Sequence, residues 1–240
     1  MQEENKLRAR CRQVFQVVAA VWVLAGCGGG GGGGDAPAPT FALQSAYANW
    51  VRSGSNDAYT VSGFCAGSVT IRRAASTPTL FKTITGFSVV ESGSFQFTGC
   101  SNPAFNISGS DGGTAYYDSS YALMGSISAD EYTEFTTTRP SALPAAVVVG
   151  GQGAIGTLTN YTDNTKITVT GTSVVSYSIE ADAPASTESV IVNITTKEYD
   201  LANRLTLTVQ DRYRLTSVGL LTSVSLNFVS DIGSFTYTRS

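Results

Sequence analysis

"ESVIVNITTKEY" (residues 188–199) and "NRLTLTVQDRYRL" (residues 203–215) decide the fold. In the first, Val190, Val192 and Ile194 alternate with Asn193 and Thr195. In the second, Leu205, Leu207 and Val209 alternate with Thr206, Thr208 and Gln210. Successive side chains of an extended chain point to opposite faces, so a period of two means one buried face and one wetted face. That pattern belongs to antiparallel hairpins, because parallel strands covered on both sides read as continuous apolar runs.

The same texture extends in both directions. Upstream, "TKITVTGTSVVSYSIEA" precedes a turn, "ADAPAST"; downstream, "LTSVSLNF" and "GSFTYT" supply closing strands. Earlier still, Tyr59-Thr60-Val61, "GSVTIRRA", "KTITGFSVV", "GSFQFTG", "AFNIS" and residues 114–138 are rich in Thr, Val, Ile, Tyr and Phe and punctuated by Gly, Ser and Pro. About ten to twelve strands are expected. With almost no helix, they predict an all-β fold, an antiparallel β-sandwich or a barrel-like sheet. One short N-terminal helix is predicted where Leu43, Tyr47, Trp50 and Val51 share a helical face, with Thr40 as N-cap and Gly54 as terminator. "RPSALPAAVVVGGQGAIG" (139–156) carries two prolines and four glycines. It separates an N-terminal β half, 41–138, from a C-terminal β half, 139–240, unless it is a long crossover within one continuous domain.

Only 14% of residues are charged against 42% hydrophobic, which describes a packed body with a Ser/Thr-rich surface rather than a disordered chain. Residues 27–240 hold eleven basic and sixteen acidic side chains. An acidic body without basic clusters excludes the phosphate neutralisation on which nucleic-acid binding depends. There is no histidine. That removes the usual general base of serine and cysteine hydrolases and the commonest zinc ligand.

The N-terminus has a different character. A basic stretch from Lys6 to Arg12 precedes the 13-residue apolar run Val14–Gly26. Such a run is short for a spanning helix but right for a signal-peptide core. It ends in Leu24-Ala25-Gly26-Cys27, which resembles the lipobox of bacterial lipoproteins at all four positions. The resemblance implies that 1–26 is a signal peptide recognised through Leu24, Ala25 and Gly26 by signal peptidase II, and that Cys27 is the lipid attachment site. Two or three acyl chains anchor stably where one does not. Gly28, in place of the aspartate that retains lipoproteins in the inner membrane of enteric bacteria, implies the outer membrane, facing either the periplasm or the exterior. Lipoprotein processing and sorting machinery would be the partners. Residues 27–40 then form a lipidated cysteine and a tether of seven glycines and an Ala-Pro piece, averaging roughly 20 Å end to end. The body that follows resembles glycine-tethered β-rich envelope lipoproteins.

In an exported domain Cys65 and Cys100 are expected to form one disulfide. Gly63-Phe64-Cys65-Ala66-Gly67 has the spacing of a hydrolase nucleophile elbow, but the chain continues as strand and offers no histidine base. Glu180/Asp182 and Glu198/Asp200 are i, i+2 pairs, about 7 Å apart if extended, a spacing compatible with inverting glycosidases. Acids bordering turns are more commonly solvated surface groups. "DEYTEF" (130–135) and Asp111 with Asp118 supply oxygens for calcium without an EF-hand loop. Tyr116, Tyr117, Tyr121 and Tyr132 form the densest aromatic cluster, suited to sugar stacking or simply to strand packing. No catalytic residue, metal ligand or cofactor is assigned. The expected function is a membrane-anchored, non-catalytic binding or structural domain. Its alternatives are a barrel carrier enclosing an apolar ligand or lipid, and a carboxylate-dependent glycan hydrolase.

Overall fold

A computed structural model describes residues 38–184 and 186–240. Leu24, Ala25, Gly26 and Cys27 lie outside the described residues. The described residues form one α-helix, α1 (Leu43–Ser53), a 3-10 turn (Pro103–Phe105) and thirteen strands. These are β1 (Ser55–Gly63), β2 (Ala66–Arg73), β3 (Thr77–Phe81), β4 (Ile84–Thr98), β5 (Ser108–Asp118), β6 (Leu123–Ser128) and β7 (Tyr132–Glu134). The second set is β8 (Gln152–Tyr161), β9 (Val169–Ala181), β10 (Ser189–Asp200), β11 (Leu205–Thr216), β12 (Leu221–Ser230) and β13 (Gly233–Arg239).

Of the two architectures open from sequence, the structure is the barrel. Twelve strands form a closed antiparallel sheet in simple up-and-down order. The last strand returns to the first, with Tyr59 opposite Arg239 and Val61 opposite Tyr237. Strand β3 is extra: it lies beside the early part of β4, whose later part pairs with β2. Strands from both sides of the 139–151 segment belong to this one sheet. Closure removes the free edges of the twelve barrel strands, leaving β3 paired on one side only.

The period-two pattern becomes an inside and an outside. Val190, Val192 and Ile194 of β10, and Val209, Tyr213 and Leu215 of β11, are buried inward. Thr206, Thr208 and Gln210 share the outward parity. A lipid-exposed barrel has the reverse polarity, an apolar outward band and a polar lumen.

A lumen this wide must be filled, and α1 does so at one end. Its buried residues Leu43, Ala46, Tyr47, Ala48 and Val51 join a core drawn from β4 through β12. An 11-residue helix is marginal alone. Each fully buried side chain contributes about 1.5–3 kcal/mol, so packing holds the helix in place. Gly54 terminates it, at φ +68° with a Cβ-forbidding approach to Arg73 O. Thr40 is not the cap. Ala42 occupies that position without a side-chain hydrogen bond, because the chain just before it is drawn into a bridge between Phe41 and Val147.

A second core fills the opposite end, built from Val61, Val69, Phe95, Phe97, Phe228, Phe235 and Tyr237. Gly109 on β5 makes room there, since a Cβ would come within 2.9 Å of the Phe95 ring. Cys65 and Cys100 are disulfide-bonded at this end, tying the β1–β2 turn to the end of β4. That bond, with positive φ at Gly63, makes the Gly-x-Cys-x-Gly stretch a hairpin turn and not an elbow.

Candidate functional site: a polar belt inside the barrel

Between the two apolar cores runs a layer of inward polar groups. Asp57, Arg73, Ser126, Thr133, Asn160, Ser173, Thr196, Asp211 and Ser223 are all buried, on nine different strands. Across β6–β9 the layer satisfies itself in pairs. Ser126 and Thr133 hydroxyls meet at 2.9 Å, and Asn160 Nδ2 donates to Ser173 Oγ at 2.8 Å. Buried polar groups cost free energy unless hydrogen-bonded, and these are.

Around β1, β2, β4 and β11 the belt opens onto a cavity of about 70 Å³ lined by Trp50, Asp57, Arg73, Glu91, Tyr117 and Asp211 among others. Register places Arg73 directly opposite Glu91, and Arg73 Nε donates to Glu91 Oε1 at 2.7 Å. The guanidinium stacks 3.5 Å from the Trp50 ring centroid, and Nη1 reaches the Trp50 carbonyl. Nη2 is buried with no hydrogen-bond partner among the described residues. Burial works against the arginine's charge, but Glu91 outweighs it and holds the pKa above its ordinary value. A second ion pair, Arg239 to Asp57 at 2.6 Å, closes the layer beside it. Tyr59 donates to Ser223 at 2.8 Å.

Asp211 is the exceptional group. Burial, reinforced by the negative charge of Glu91 and opposed by Arg73, pushes its carboxyl up to about 8. At neutral pH it is protonated and can donate as well as accept a hydrogen bond. Burial also raises Tyr59 and Tyr117 to about 12, so both stay neutral donors. The cavity therefore offers one paired guanidinium, a neutral carboxylic acid, hydroxyls and aromatic rings.

The carboxylates singled out in the sequence have other positions. Glu180, on the outer face of β9, and Asp182, just beyond its end, reach across β10 to Arg212 and Arg214. These two ion pairs roof Ile191 and Asn193, which explains why outward-facing residues of β10 are buried. Asp200 accepts from the amides of Ala202 and Arg204 and pairs with the Arg204 side chain, organising a turn. Glu198 is buried and shares the inward parity of Ile194 and Thr196. The four acids are thus spread over two faces and a turn, not assembled in a cleft.

Among the residues considered for calcium, Glu134 accepts from Lys82, Lys166 and Tyr132, which hold its carboxyl below the usual range despite burial. Asp118 pairs with Arg139 and caps a turn through the amides of Ser120 and Ala122. Among the described residues no group of three His, Cys, Asp or Glu is placed to hold a metal. Of the four tyrosines, Tyr117, Tyr121 and Tyr132 are buried, and Tyr116 stacks on Phe81 with centroids 4.5 Å apart. Packing accounts for all four.

Sequence reasoning missed Arg73, Glu91 and Asp211. One signal was present: Asp211 continues the parity of Leu207 and Val209 and precedes Tyr213 and Leu215, so the pattern itself places an acid on the buried face. Neither a family model, a curated protein nor a solved structure matches the chain.

Proposed function

We propose that this chain is an envelope lipoprotein, held to the outer membrane by fatty chains on Cys27, whose barrel is a non-catalytic binding body. The observation that carries the reading is the polarity of the barrel: two apolar cores fill its interior around one polar belt, while Thr206, Thr208 and Gln210 point outward. A body of this kind has no lipid-facing band of its own, and the Leu24-Ala25-Gly26-Cys27 stretch supplies an attachment before it. The tether then lets the body work at a distance from the headgroups. Cells fed labelled palmitate should mark the protein but not its Cys27→Ala variant; equal labelling of both refutes the anchor.

The carrier alternative asks for an enclosed apolar volume. Pockets for drug-sized ligands measure about 300–1,000 Å³. Here α1 and the aromatic core occupy most of the lumen, leaving an inner cavity of about 70 Å³ whose lining mixes charged side chains with apolar ones and so is not a purely apolar enclosure. Native mass spectrometry decides between the readings, since a stoichiometric bound lipid would favour a carrier.

A further inference from the structure

The inner cavity adjoins a second space at the helix-capped end, with which it shares three lining residues. A vestibule of about 250 Å³ lies between the C-terminal half of α1 and β12, lined by Asn49, Ser53, Ser55, Thr222 and Arg239. Trp50, Asp57 and Ser223 line both spaces, so the proposed passage between them runs past these three side chains. The vestibule reaches the surface at Asn49, Ser53 and Leu220, all exposed. Together the two volumes reach the lower end of the range for small-molecule sites.

Two polar groups along these spaces are buried without a hydrogen-bond partner among the described residues. Arg73 Nη2 belongs to a side chain only 4% exposed that lines the inner cavity, and Ser55 Oγ belongs to a residue lining the vestibule. Leaving a buried donor unsatisfied is costly, and a bound partner removes that cost. We propose that the cavity and vestibule form a binding site for a neutral, polyhydroxylated molecule of monosaccharide size, entering between α1 and β12 and accepting hydrogen bonds from Arg73 and Ser55.

Charge selects this class. Three carboxyls, Asp57, Glu91 and Asp211, line the inner cavity, and both guanidiniums at the site are already ion-paired. An anion would meet no unpaired positive charge there. An apolar chain would bury the polar lining unsatisfied. A polyol matches it, since each hydroxyl both donates and accepts, and the lining mixes donors (Arg73, Ser55) with acceptors (Asp57, Glu91).

The proposal deepens the reading of the body as a binding domain, and its failure is separable from that of the anchor, which palmitate labelling tests independently. The chain has two tryptophans, so a full-length Trp22→Phe variant reports from Trp50 alone, at the passage itself. That protein is titrated with glucose, galactose and N-acetylglucosamine, with sodium acetate and phosphate as anionic comparators. An oligosaccharide ending in the active sugar separates a free monosaccharide from a glycan terminus as the source. At least one hexose should change Trp50 emission saturably. Ser223→Leu, which fills the passage, and Asn49→Phe, which crowds the exposed rim, should each weaken that response by about tenfold or more. The second variant sits on the helix surface and keeps the test alive if the first fails to fold. Absence of a saturable response to every hexose overturns the proposal. So does saturation by acetate or phosphate alone, or a hexose response that survives both substitutions.

Discussion

Replacing Asp211 with asparagine should stabilise this protein at neutral pH, and the gain should vanish in acid. The side chain is 6% exposed, and its carboxyl is pushed from an ordinary 3.8 up to about 8. Between those limits the folded protein holds a proton that the unfolded chain releases. Stability must therefore fall as pH rises through the window: this group's contribution is most favourable below about pH 4, declines steadily, and is flat above about pH 8. At about 1.4 kcal/mol per unit, roughly three units separate 3.8 from pH 7, so the ceiling at neutrality is about 4 kcal/mol. Asparagine has nearly the shape of the protonated acid and cannot ionise. Asp211→Asn should match the wild type near pH 4 and exceed it by about 2–4 kcal/mol at pH 7. Urea unfolding followed by circular dichroism, for both proteins across about pH 4.5 to 8.5, measures the difference while the other titrating groups cancel. A difference independent of pH, or a variant less stable than wild type at pH 8, would refute the assignment of Asp211 as a buried neutral acid.

Three further outcomes follow from the packing. Cys65→Ser with Cys100→Ser opens a loop of 35 residues and should cost roughly 3–4 kcal/mol, read from urea midpoints of unreduced protein. Glu91→Gln leaves Arg73 buried and unpaired, and should destabilise by about 3–5 kcal/mol; the double variant Arg73→Met/Glu91→Leu should recover most of that loss in a double-mutant cycle. Leu43→Ala deletes a fully buried side chain from the helix that fills the lumen and should cost about 2–5 kcal/mol, with a matching fall in the thermal midpoint.

The strands and the helix were legible because each is a local pattern. Val190, Val192 and Ile194 announce a buried face by alternation alone, and Leu43, Tyr47, Trp50 and Val51 announce a helix by theirs. The disulfide followed from a count of two cysteines in the body. Choosing barrel over sandwich was not possible locally, because it depends on whether β13 meets β1, a pairing between opposite ends of the fold. The polar belt was hidden for a related reason. Thr196 shares the parity of Val192 and Ile194, and a threonine or serine there reads as an ordinary strand residue. Only the register between neighbouring strands brings Ser126, Thr133, Asn160, Ser173 and Thr196 to one level of the lumen. The N-cap failed at Thr40 because a distant segment, Val147, captured the neighbouring backbone. The Glu180/Asp182 pair was visible, but the arginines that claim it sit two strands away, on β11.

The meeting of β1 with β13 also dictates when the molecule can finish folding. Every other strand pairs with a near neighbour in sequence and can zip up as the chain is delivered, whereas Tyr59 must wait for Arg239. Until the final strand arrives, β1 keeps a bare hydrogen-bonding edge and the aromatic residues that will pack against Phe235 and Tyr237 stay uncovered. Loss of even the last few residues would leave a sheet with two open margins, prone to recruiting a second copy where a ring should have closed.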